Sequence, residues 1–274
     1  MRVLAINDIS CVGKCSLSVT LPVLSACGIT CDVLPTAILS THTGGFTDYT
    51  FRDLTDDIPQ ILRHWKTLGI RFDYVYSGYL GSMEQIELVS RIRKEFLTEN
   101  GVFVVDPVMG DSGKLYDGFT AEYVEKMREL CREADYILPN LTEACYLAGV
   151  PYPQNGATLD AESLLYKLQA LCPRPIVTGI TERQSISVVF AGKTGTAQKY
   201  KHENVNGFFC GAGDVFASAF VGCLARGKTD EEAVRLASDF TTAAIVRSAT
   251  EVPDKRYGLN FEAEIFEFLK NLEK

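Results

Sequence analysis

The sequence predicts a three-layer α/β fold, in which a mostly parallel central sheet has helices on both faces and an antiparallel hairpin at one edge. Short β-branched runs alternate with helical patterns of 10–20 residues, which is typical of parallel sheets. Two apolar runs on either side of residues 191–194 predict the hairpin. No linker-like composition or block of like charge interrupts the 274 residues, so we expect a single domain over residues 1–274.

The predicted strands are short apolar runs bounded by polar or glycine residues. They lie at residues 3–7, 33–39, 74–79, 102–106, 136–138 and 175–178, with hairpin arms at 184–190 and 195–200. The predicted helices have apolar residues at helical spacing. They lie at residues 16–27, 56–68, 82–97, 121–134, 142–147, 161–171, 215–225, 229–249 and 261–272.

Local signals mark several helix ends. Thr55 is a candidate N-cap, and Ser82 with Gln85 forms a candidate capping box. Thr229 with Glu232 forms a second candidate capping box.

Composition narrows the functional class. A net charge of −8 argues against nucleic acids and anionic membranes as partners. No secretory signal and no apolar run of about 18 residues is present, so we expect a cytoplasmic protein without membrane contact. The nine cysteines form no C-x-x-C pair and have no histidine cluster beside them. We therefore expect reduced thiols and no zinc site.

One glycine-rich segment carries the strongest chemical signal. Gly211, Ala212 and Gly213 come just before Asp214, at the start of a long apolar helical pattern. Glycines let backbone amides approach an anion, and the start of a helix adds its positive dipole end. A carboxylate there suits a base that deprotonates a hydroxyl attacking a phosphate. The segment indicates phosphoryl transfer, and the alternative is an ordinary turn in which Asp214 stabilises the helix end.

Polar and glycine residues also follow each predicted strand. Ligands of parallel sheets bind beyond the carboxyl ends of the strands. The residues at these ends are Asn7, Asp8 and Ser10, residues 40–45, residues 77–82, Asp106, Gly110 and Asp111, Asn140 and Glu143, and Thr178 and Gly179. This concentration predicts an active site at that edge of the sheet.

Several of these segments together resemble the ribokinase-like superfamily and, within it, the pyridoxal (pyridoxal/pyridoxine/pyridoxamine) kinases. The segments are Ser77-Gly78-Tyr79-Leu80-Gly81-Ser82, Asp106-Pro107-Val108-Met109-Gly110, Pro139-Asn140-x-x-Glu143 and Gly211-Ala212-Gly213-Asp214. Ser40-x-His42-Thr43-Gly44 is similar to the vitamer-binding loop. The resemblance implies ATP-dependent phosphorylation of the 5′-hydroxymethyl group of a B6 vitamer by a Mg²⁺-dependent homodimer. It leaves a need for a monovalent cation such as K⁺ open.

The resemblance also implies roles for individual residues. Asp214 would be the general base, with the amides of Gly211, Ala212 and Gly213 holding the transferred phosphoryl charge. The implied ATP-binding residues are Asp106, Asp111, Asn140, Thr178, Gly211 and Gly213. Asp106 and Glu143 would position the metal ion. Capping of the helix at residues 142–147 would also explain Asn140 and Glu143. The implied substrate residues are Asp8, Ser10, Thr43 and Tyr79, and the loop at residues 111–118 would cover ATP.

Three departures separate this chain from its relatives. Asp214 stands where hydroxymethylpyrimidine kinases tend to carry cysteine, which disfavours that branch. Phe208 and Phe209 replace a polar segment of sugar kinases and suit a flat heteroaromatic ligand, or packing under the helix. Asp8 replaces a serine of pyridoxal kinases, and either pairs with the pyridine nitrogen or the 4′-amine of pyridoxamine or caps a turn.

Three alternatives to a B6-vitamer kinase follow. They are a hydroxymethylpyrimidine kinase, a sugar kinase and a nucleotide-binding or vitamer-holding protein that has lost catalysis. A dinucleotide-binding oxidoreductase is excluded because residues 7–13 lack the G-x-G-x-x-G pattern.

Overall fold

The computed structural model describes residues 1–153, 160–182, 185–192, 195–205, 207 and 209–274. Its central sheet has nine strands within this part of the chain. They are β1 (Arg2–Val12), β2 (Thr30–Thr41), β3 (Phe51–Asp53), β4 (Phe72–Ser77), β5 (Leu97–Val105), β8 (Tyr136–Ile137), β9 (Arg174–Glu182), β10 (Ser185–Ala191) and β11 (Ala197–Glu203). A separate small hairpin consists of β6 (Gly110–Asp111) and β7 (Lys114–Leu115).

The helices alternate with these strands. They are α1 (Leu17–Ala26), α2 (Ile58–Thr67), α3 (Met83–Phe96), α4 (Ala121–Arg132), α5 (Leu141–Ala148), α6 (Ala161–Gln169), α7 (Ala212–Ala225), α8 (Asp230–Glu251) and α9 (Ile265–Leu272). Among the described residues, no helix has the length and apolarity that crossing a membrane requires.

The sheet order confirms the predicted fold class. The strands run β11-β10-β9-β8-β5-β4-β1-β2-β3 across the sheet, and the neighbours from β9 to β2 pair in parallel. Strands β10 and β11 form the predicted antiparallel edge hairpin, although residue 184 and the turn residues 193–194 lie outside the described part. At the opposite edge, β3 pairs antiparallel with β2. The sequence did not predict β3 because three exposed residues are too few to show a period.

The two faces of the sheet build two separate cores. Along β1, Val3 and Ala5 pack on one side, while Leu4 and Ile6 pack on the other, as a period of two requires. Helices α1, α7, α8 and α9 cover the first face, and α2 to α6 cover the second. The three-layer arrangement is confirmed.

Strand β1 is longer than the sequence predicted. It passes residue 7 and reaches Val12, with a register shift against β2 at Asp8. Asn7 lies opposite Pro35, which has no backbone N–H to donate across the sheet. The prediction ended the strand at its first polar residue and was wrong, because Asn7 and Asp8 are themselves buried.

Other boundaries differ from the predictions as well, and β9 continues past the predicted end at residue 178 to Glu182. Helix α3 continues directly into β5 at Leu97, so this strand begins five residues before the predicted start at residue 102. The last helix begins at Ile265 rather than at residue 261, because a short 3₁₀ turn at Glu262–Glu264 precedes it.

Candidate active site

The start of α7 provides the backbone amides of the predicted anion site. Gly211 is the N-cap residue, with φ +77°, and the helix continues through Ala212 and Gly213 to Asp214. A Cβ on Gly211 would collide with the carbonyl oxygen of Lys14. Only glycine fits this position without strain, because the conformation is left-handed and a neighbouring strand end lies directly against it.

Asp214 occupies the first turn of α7 and is half-buried. The pKa of its carboxyl is raised to about 7, mainly by burial and in addition by the negative charge of Asp8. The backbone amide of Ser16 and the side chain of Asn7 act in the opposite direction and lower this pKa. A carboxyl with this balance changes its protonation state near neutral pH, which is the range in which a general base is most effective.

Asp8 lies beside Asp214 at the irregular point of β1. Its side chain accepts a hydrogen bond from the Ser16 hydroxyl at 2.5 Å and a longer one from the Ser10 hydroxyl at 3.4 Å. Burial raises the pKa of Asp8, while these hydrogen bonds lower it. The three predicted substrate residues Asp8, Ser10 and Tyr79 are neighbours, since burial and then Asp8 raise the pKa of Tyr79 to about 12.

Thr43, the fourth predicted substrate residue, is exposed on the loop after β2. This loop is anchored by its neighbours. The thiol of Cys210 donates to the Gly44 carbonyl oxygen at 3.6 Å, which places the loop against the residues that precede α7. The sequence prediction that Thr43 and Asp214 belong to one site is therefore compatible with the contacts between their segments.

Asn7 is a residue to which the sequence analysis gave no role. Its Oδ1 accepts the backbone N–H of Asp8 at 3.0 Å and that of Tyr79 at 2.8 Å, so it ties β1 to the segment after β4. The available signal was its place at a strand end directly before Asp8. Ser16 was missed as well, because its contacts with Asp8 and Asp214 arise only after the chain folds back.

Asp106 follows β5 and has negatively charged neighbours. Burial raises the pKa of its carboxyl well above the usual range, and the charges of Glu143 and Asp214 add to this effect. Within the described residues, no hydrogen bond to the Asp106 side chain is present. Its oxygens are consequently available to a ligand.

Glu143 and Asn140 have the geometry of a capping pair. Asn140 Oδ1 accepts the Glu143 N–H at 3.0 Å, and Glu143 returns the bond to the Asn140 N–H at 2.9 Å, at the start of α5. The second carboxylate oxygen accepts the Met109 N–H at 3.1 Å, and Asn140 Nδ2 donates to the Gly110 carbonyl at 2.9 Å. Burial raises the pKa of Glu143 to about 8, although these backbone amides lower it. The capping alternative accounts for both side chains.

The carboxylates suit a shared cation site rather than a complete protein cage. In the part of the chain that the structure describes, no three His, Cys, Asp or Glu side chains are grouped as metal ligands. Mg²⁺ commonly takes one or two carboxylates and completes its shell with water and phosphate oxygens. The crowding of Asp106, Glu143 and Asp214 is relieved by a cation, so the residues present fit such an ion.

The predicted ATP residues lie on one side of Asp214. Asp111 is in the β6–β7 hairpin and accepts the Ser112 N–H at 2.6 Å. The hairpin is fixed to α5 because the Gly113 N–H donates to the Thr142 hydroxyl at 2.9 Å. Thr178 is half-buried on β9 and forms a parallel bridge with Asn140. The proposed cover over ATP thus contains an ordered hairpin.

The strand order separates two groups of residues. Four of the predicted ATP residues are near β5, β8 and β9: Asp106 and Asp111 follow β5, Asn140 follows β8 and Thr178 lies on β9. The predicted substrate residues belong to β1, β2 and β4 or the loops after them. Asp214 interacts electrostatically with Asp106 of the first group and Asp8 of the second. It therefore lies between the two.

The sequence predicted that the two phenylalanines before α7 either contact a flat ligand or pack under the helix. Phe208 lies outside the described residues, so its predicted contact with a flat ligand has no structural account. Phe209 packs against the core under α7, and the Lys255 ammonium lies 4.8 Å from its ring centroid. Packing explains Phe209.

Comparisons with known proteins give the same fold. The model of the phosphomethylpyrimidine kinase family matches residues 21–259. Pyridoxine kinase from Bacillus subtilis is 32% identical over 191 residues, covering 66% of this chain and 67% of that protein. Pyridoxal kinase from Lactobacillus plantarum is 34% identical with a TM-score of 0.91, covering 98% and 96% of the two chains. A Bacteroides thetaiotaomicron protein solved with pyridoxal is 35% identical, with a TM-score of 0.91 and coverage of 97% and 95%.

The fold is ribokinase-like, as the sequence resemblance implied. The chain belongs to the phosphomethylpyrimidine kinase family.

Proposed function

We propose that the protein is an ATP-dependent kinase that phosphorylates the 5′-hydroxymethyl group of a vitamin B6 vitamer. The observation that carries the proposal is the position of Asp214, a titratable carboxyl at a helix start between the two groups of residues. Relatives similar over most of their length are named pyridoxine kinase and pyridoxal kinase, and one similar structure contains pyridoxal.

The reaction follows from the chemistry of this arrangement. The ionised Asp214 accepts the proton of the 5′-hydroxyl group while that oxygen forms a bond to the γ-phosphorus of ATP. The bond between the γ-phosphorus and the bridging oxygen breaks, and ADP leaves with the electron pair. The amides of Gly211, Ala212 and Gly213 and the dipole of α7 stabilise the charge on the transferred group. Such donors contribute about 3 kcal/mol each in related chemistry.

The other predicted residues are assigned to the two sides of the base. Asp106, with Glu143 behind it, would hold Mg²⁺ on the nucleotide side, where the ion neutralises phosphate charge when bound. Thr178, Asn140 and Asp111 border the same space. Their roles in binding ATP rest on the family resemblance and on their positions on the neighbouring strands β5, β8 and β9 or in the segments after them.

On the substrate side, we propose that Asp8 faces the cationic part of the vitamer. The hydroxyl groups of Ser10 and Ser16 donate hydrogen bonds to its carboxylate. The negative charge of Asp8 also helps to raise the pKa of Tyr79, which lies nearby. Tyr79 itself packs against Phe119, with ring centroids 5.9 Å apart, and Phe119 stacks on Tyr123 at 4.0 Å. An aromatic ring supported in this way suits a planar heteroaromatic substrate.

A homodimer in the cytoplasm is the assembly and location that we propose. The homodimer rests on the family resemblance alone. All nine cysteines are free thiols, seven of them buried, which suits a reducing compartment.

A phosphomethylpyrimidine kinase is the second candidate, because the matching family model carries that description. The two candidates differ in the ring that must fit beside Asp8 and Tyr79. Steady-state ADP production with pyridoxal, pyridoxine, pyridoxamine and hydroxymethylpyrimidine separates them. A kcat/KM for every B6 vitamer below that for hydroxymethylpyrimidine would reject the proposed substrate class.

The base is tested by Asp214→Asn, which keeps the size of the side chain and removes the acceptor of the proton. We expect kcat to fall by about 10³-fold or more while the Kd for the vitamer and for ATP changes little. Asp56→Asn is the matched control, since Asp56 is an exposed acid just before α2. Retained turnover in Asp214→Asn would remove the assignment of the base.

A further inference from the structure

The orientation of the Asn7 side chain is fixed by two backbone donors. The N–H groups of Asp8 and Tyr79 both point at one terminal atom of the carboxamide, at 3.0 and 2.8 Å. Only the oxygen can accept these bonds, so Oδ1 occupies this position and Nδ2 faces the other way.

Nδ2 is a buried donor without a partner. Asn7 is 1% exposed, and its Nδ2 makes no hydrogen bond to any residue within the described part of the chain. An unsatisfied buried donor is costly, and each such group in a native protein needs an explanation.

The surroundings of Nδ2 point to Asp214 as its partner. The Asn7 side chain is one of the two groups that lower the pKa of Asp214, so its carboxamide lies close to that carboxylate, although Nδ2 is not within hydrogen-bonding distance of it. On its other side, a Cβ on Gly78 would collide with Nδ2 and lie 2.7 Å from the Asn7 Cγ. The glycine after β4 leaves the space that the carboxamide fills.

We propose that Asn7 is a positioning residue for the base: Nδ2 donates to the ionised Asp214 carboxylate, and Oδ1 fixes the backbone of Tyr79. This inference rests on the proposed function only in calling Asp214 a base. One carboxamide then sets the distance between the group that takes the proton and the strand end that carries the substrate ring. When the base is protonated, the hydrogen bond from the Asn7 amide loses the charge that strengthens it.

Few groups around Asp214 favour its ionised form, so a hydrogen bond from the Asn7 amide has a large effect on its protonation. The titratable groups that face it from the packed elements are Asp8, Cys15, Tyr76, Asp106, Tyr116 and Cys210. Each of them is neutral or negative, and none favours the ionised carboxylate. The Asn7 amide and the Ser16 N–H are the groups that do favour it.

The test uses three variants and a control. Asn7→Asp keeps the size and both acceptor bonds but exchanges the donor for an oxygen, and Asn7→Leu removes donor and acceptor together. Gly78→Ala does not change the residue at position 7, but its new Cβ displaces the Asn7 carboxamide. Asn100→Asp makes the same chemical change on the exposed part of β5 and serves as the control.

Two readouts follow the base in these variants. The first is the midpoint of the acid limb of kcat/KM against pH, and the second is a ¹³C titration of the Asp214 carboxyl, assigned by its loss in Asp214→Asn. We expect both midpoints to move to higher pH by about one unit in Asn7→Leu and further in Asn7→Asp, so kcat/KM at a pH below the midpoint falls about tenfold. Asn100→Asp should leave both unchanged.

An unchanged midpoint in Asn7→Asp and Asn7→Leu, with the fold verified by Tm, would overturn the inference. If Gly78→Ala does not fold, the two Asn7 variants decide alone. If the wild-type protein phosphorylates no vitamer, the proposed function fails, but the carboxyl titration still reports whether Asn7 donates to Asp214.

Discussion

His42 connects the predicted substrate loop to a segment more than 200 residues away in the chain. Its Nδ1 accepts the Gly44 N–H at 3.0 Å, and its Nε2 lies 2.5 Å from the Arg256 carbonyl oxygen. Because Gly44 donates to Nδ1, the ring proton is on Nε2, which donates to Arg256. Gly13 packs on the ring, and a Cβ there would lie 2.7 Å from the His42 Cδ2. The histidine anchors the loop that carries Thr43.

The first prediction concerns this anchor. His42→Ala removes two hydrogen bonds of about 1 kcal/mol each, so the vitamer KM should rise about tenfold or more, with a smaller change in the KM for ATP. Steady-state kinetics with each substrate varied in turn measures the split. His64→Ala on exposed α2 is the control, and an equal rise in both KM values would contradict a local role.

The second prediction is a pH dependence set by Asp214. Because its pKa is raised from 3.8 to about 7, kcat/KM should rise with pH through about 7, as the base loses its proton. Between these two values the native state binds the proton more tightly than the unfolded state, so the contribution of Asp214 to stability falls as pH rises through about 7. Asp214→Asn should therefore gain more in Tm over the wild type at pH 8 than at pH 5. An equal gain at both pH values would argue against the raised pKa.

The third prediction compares two glycines of the anion site. Gly211→Ala must adopt a left-handed φ and displace Lys14, so we expect a loss of about 3 kcal/mol or more in the free energy of unfolding. Gly213→Ala has no atom within 4 Å of the new Cβ and lies inside α7, so its stability should change by less than about 1 kcal/mol. Urea unfolding measures both, and similar losses would refute the steric argument.

The fourth prediction uses two capping boxes found among the described residues. Glu143→Gln places an amide nitrogen opposite a backbone N–H at a buried helix start. The free energy of unfolding should therefore fall by about 2 kcal/mol. Glu232→Gln makes the same change in the exposed box at the start of α8 and should cost less than about 1 kcal/mol. Only Glu143→Gln should raise the concentration of Mg²⁺ needed for half-maximal activity. Equal Mg²⁺ dependence would limit Glu143 to a structural role.

The fifth prediction tests Asp8 as a selector of cationic vitamers. Asp8→Asn removes the buried charge and leaves a single oxygen that can accept from Ser10 or Ser16, so kcat/KM should fall more for pyridoxamine than for pyridoxal or pyridoxine. Asp48→Asn in the exposed loop after β2 is the control. Equal losses for all three vitamers, or none, would leave Asp8 as a structural residue.

Contacts between residues close in the sequence could be predicted, whereas contacts between distant segments could not. The Asn140–Glu143 pair could be predicted as a cap because its bonds span three residues, yet the contact of Glu143 with Met109 could not. Asn7 went unassigned because its partner Tyr79 is 72 residues away. The ordered β6–β7 hairpin was missed because two-residue strands have no period.

The sequence by itself determined the alternation of strands and helices, the glycine-rich helix start at Gly211 and the polar residues at the strand ends. These are consequences of local propensity, spacing and backbone chemistry within a few residues. Only the tertiary structure decided the strand order that places Asp214 between Asp106 and Asp8, and the burial that raises its pKa. Burial and neighbouring charges depend on which distant segments pack together, and this information is absent from any short stretch of chain.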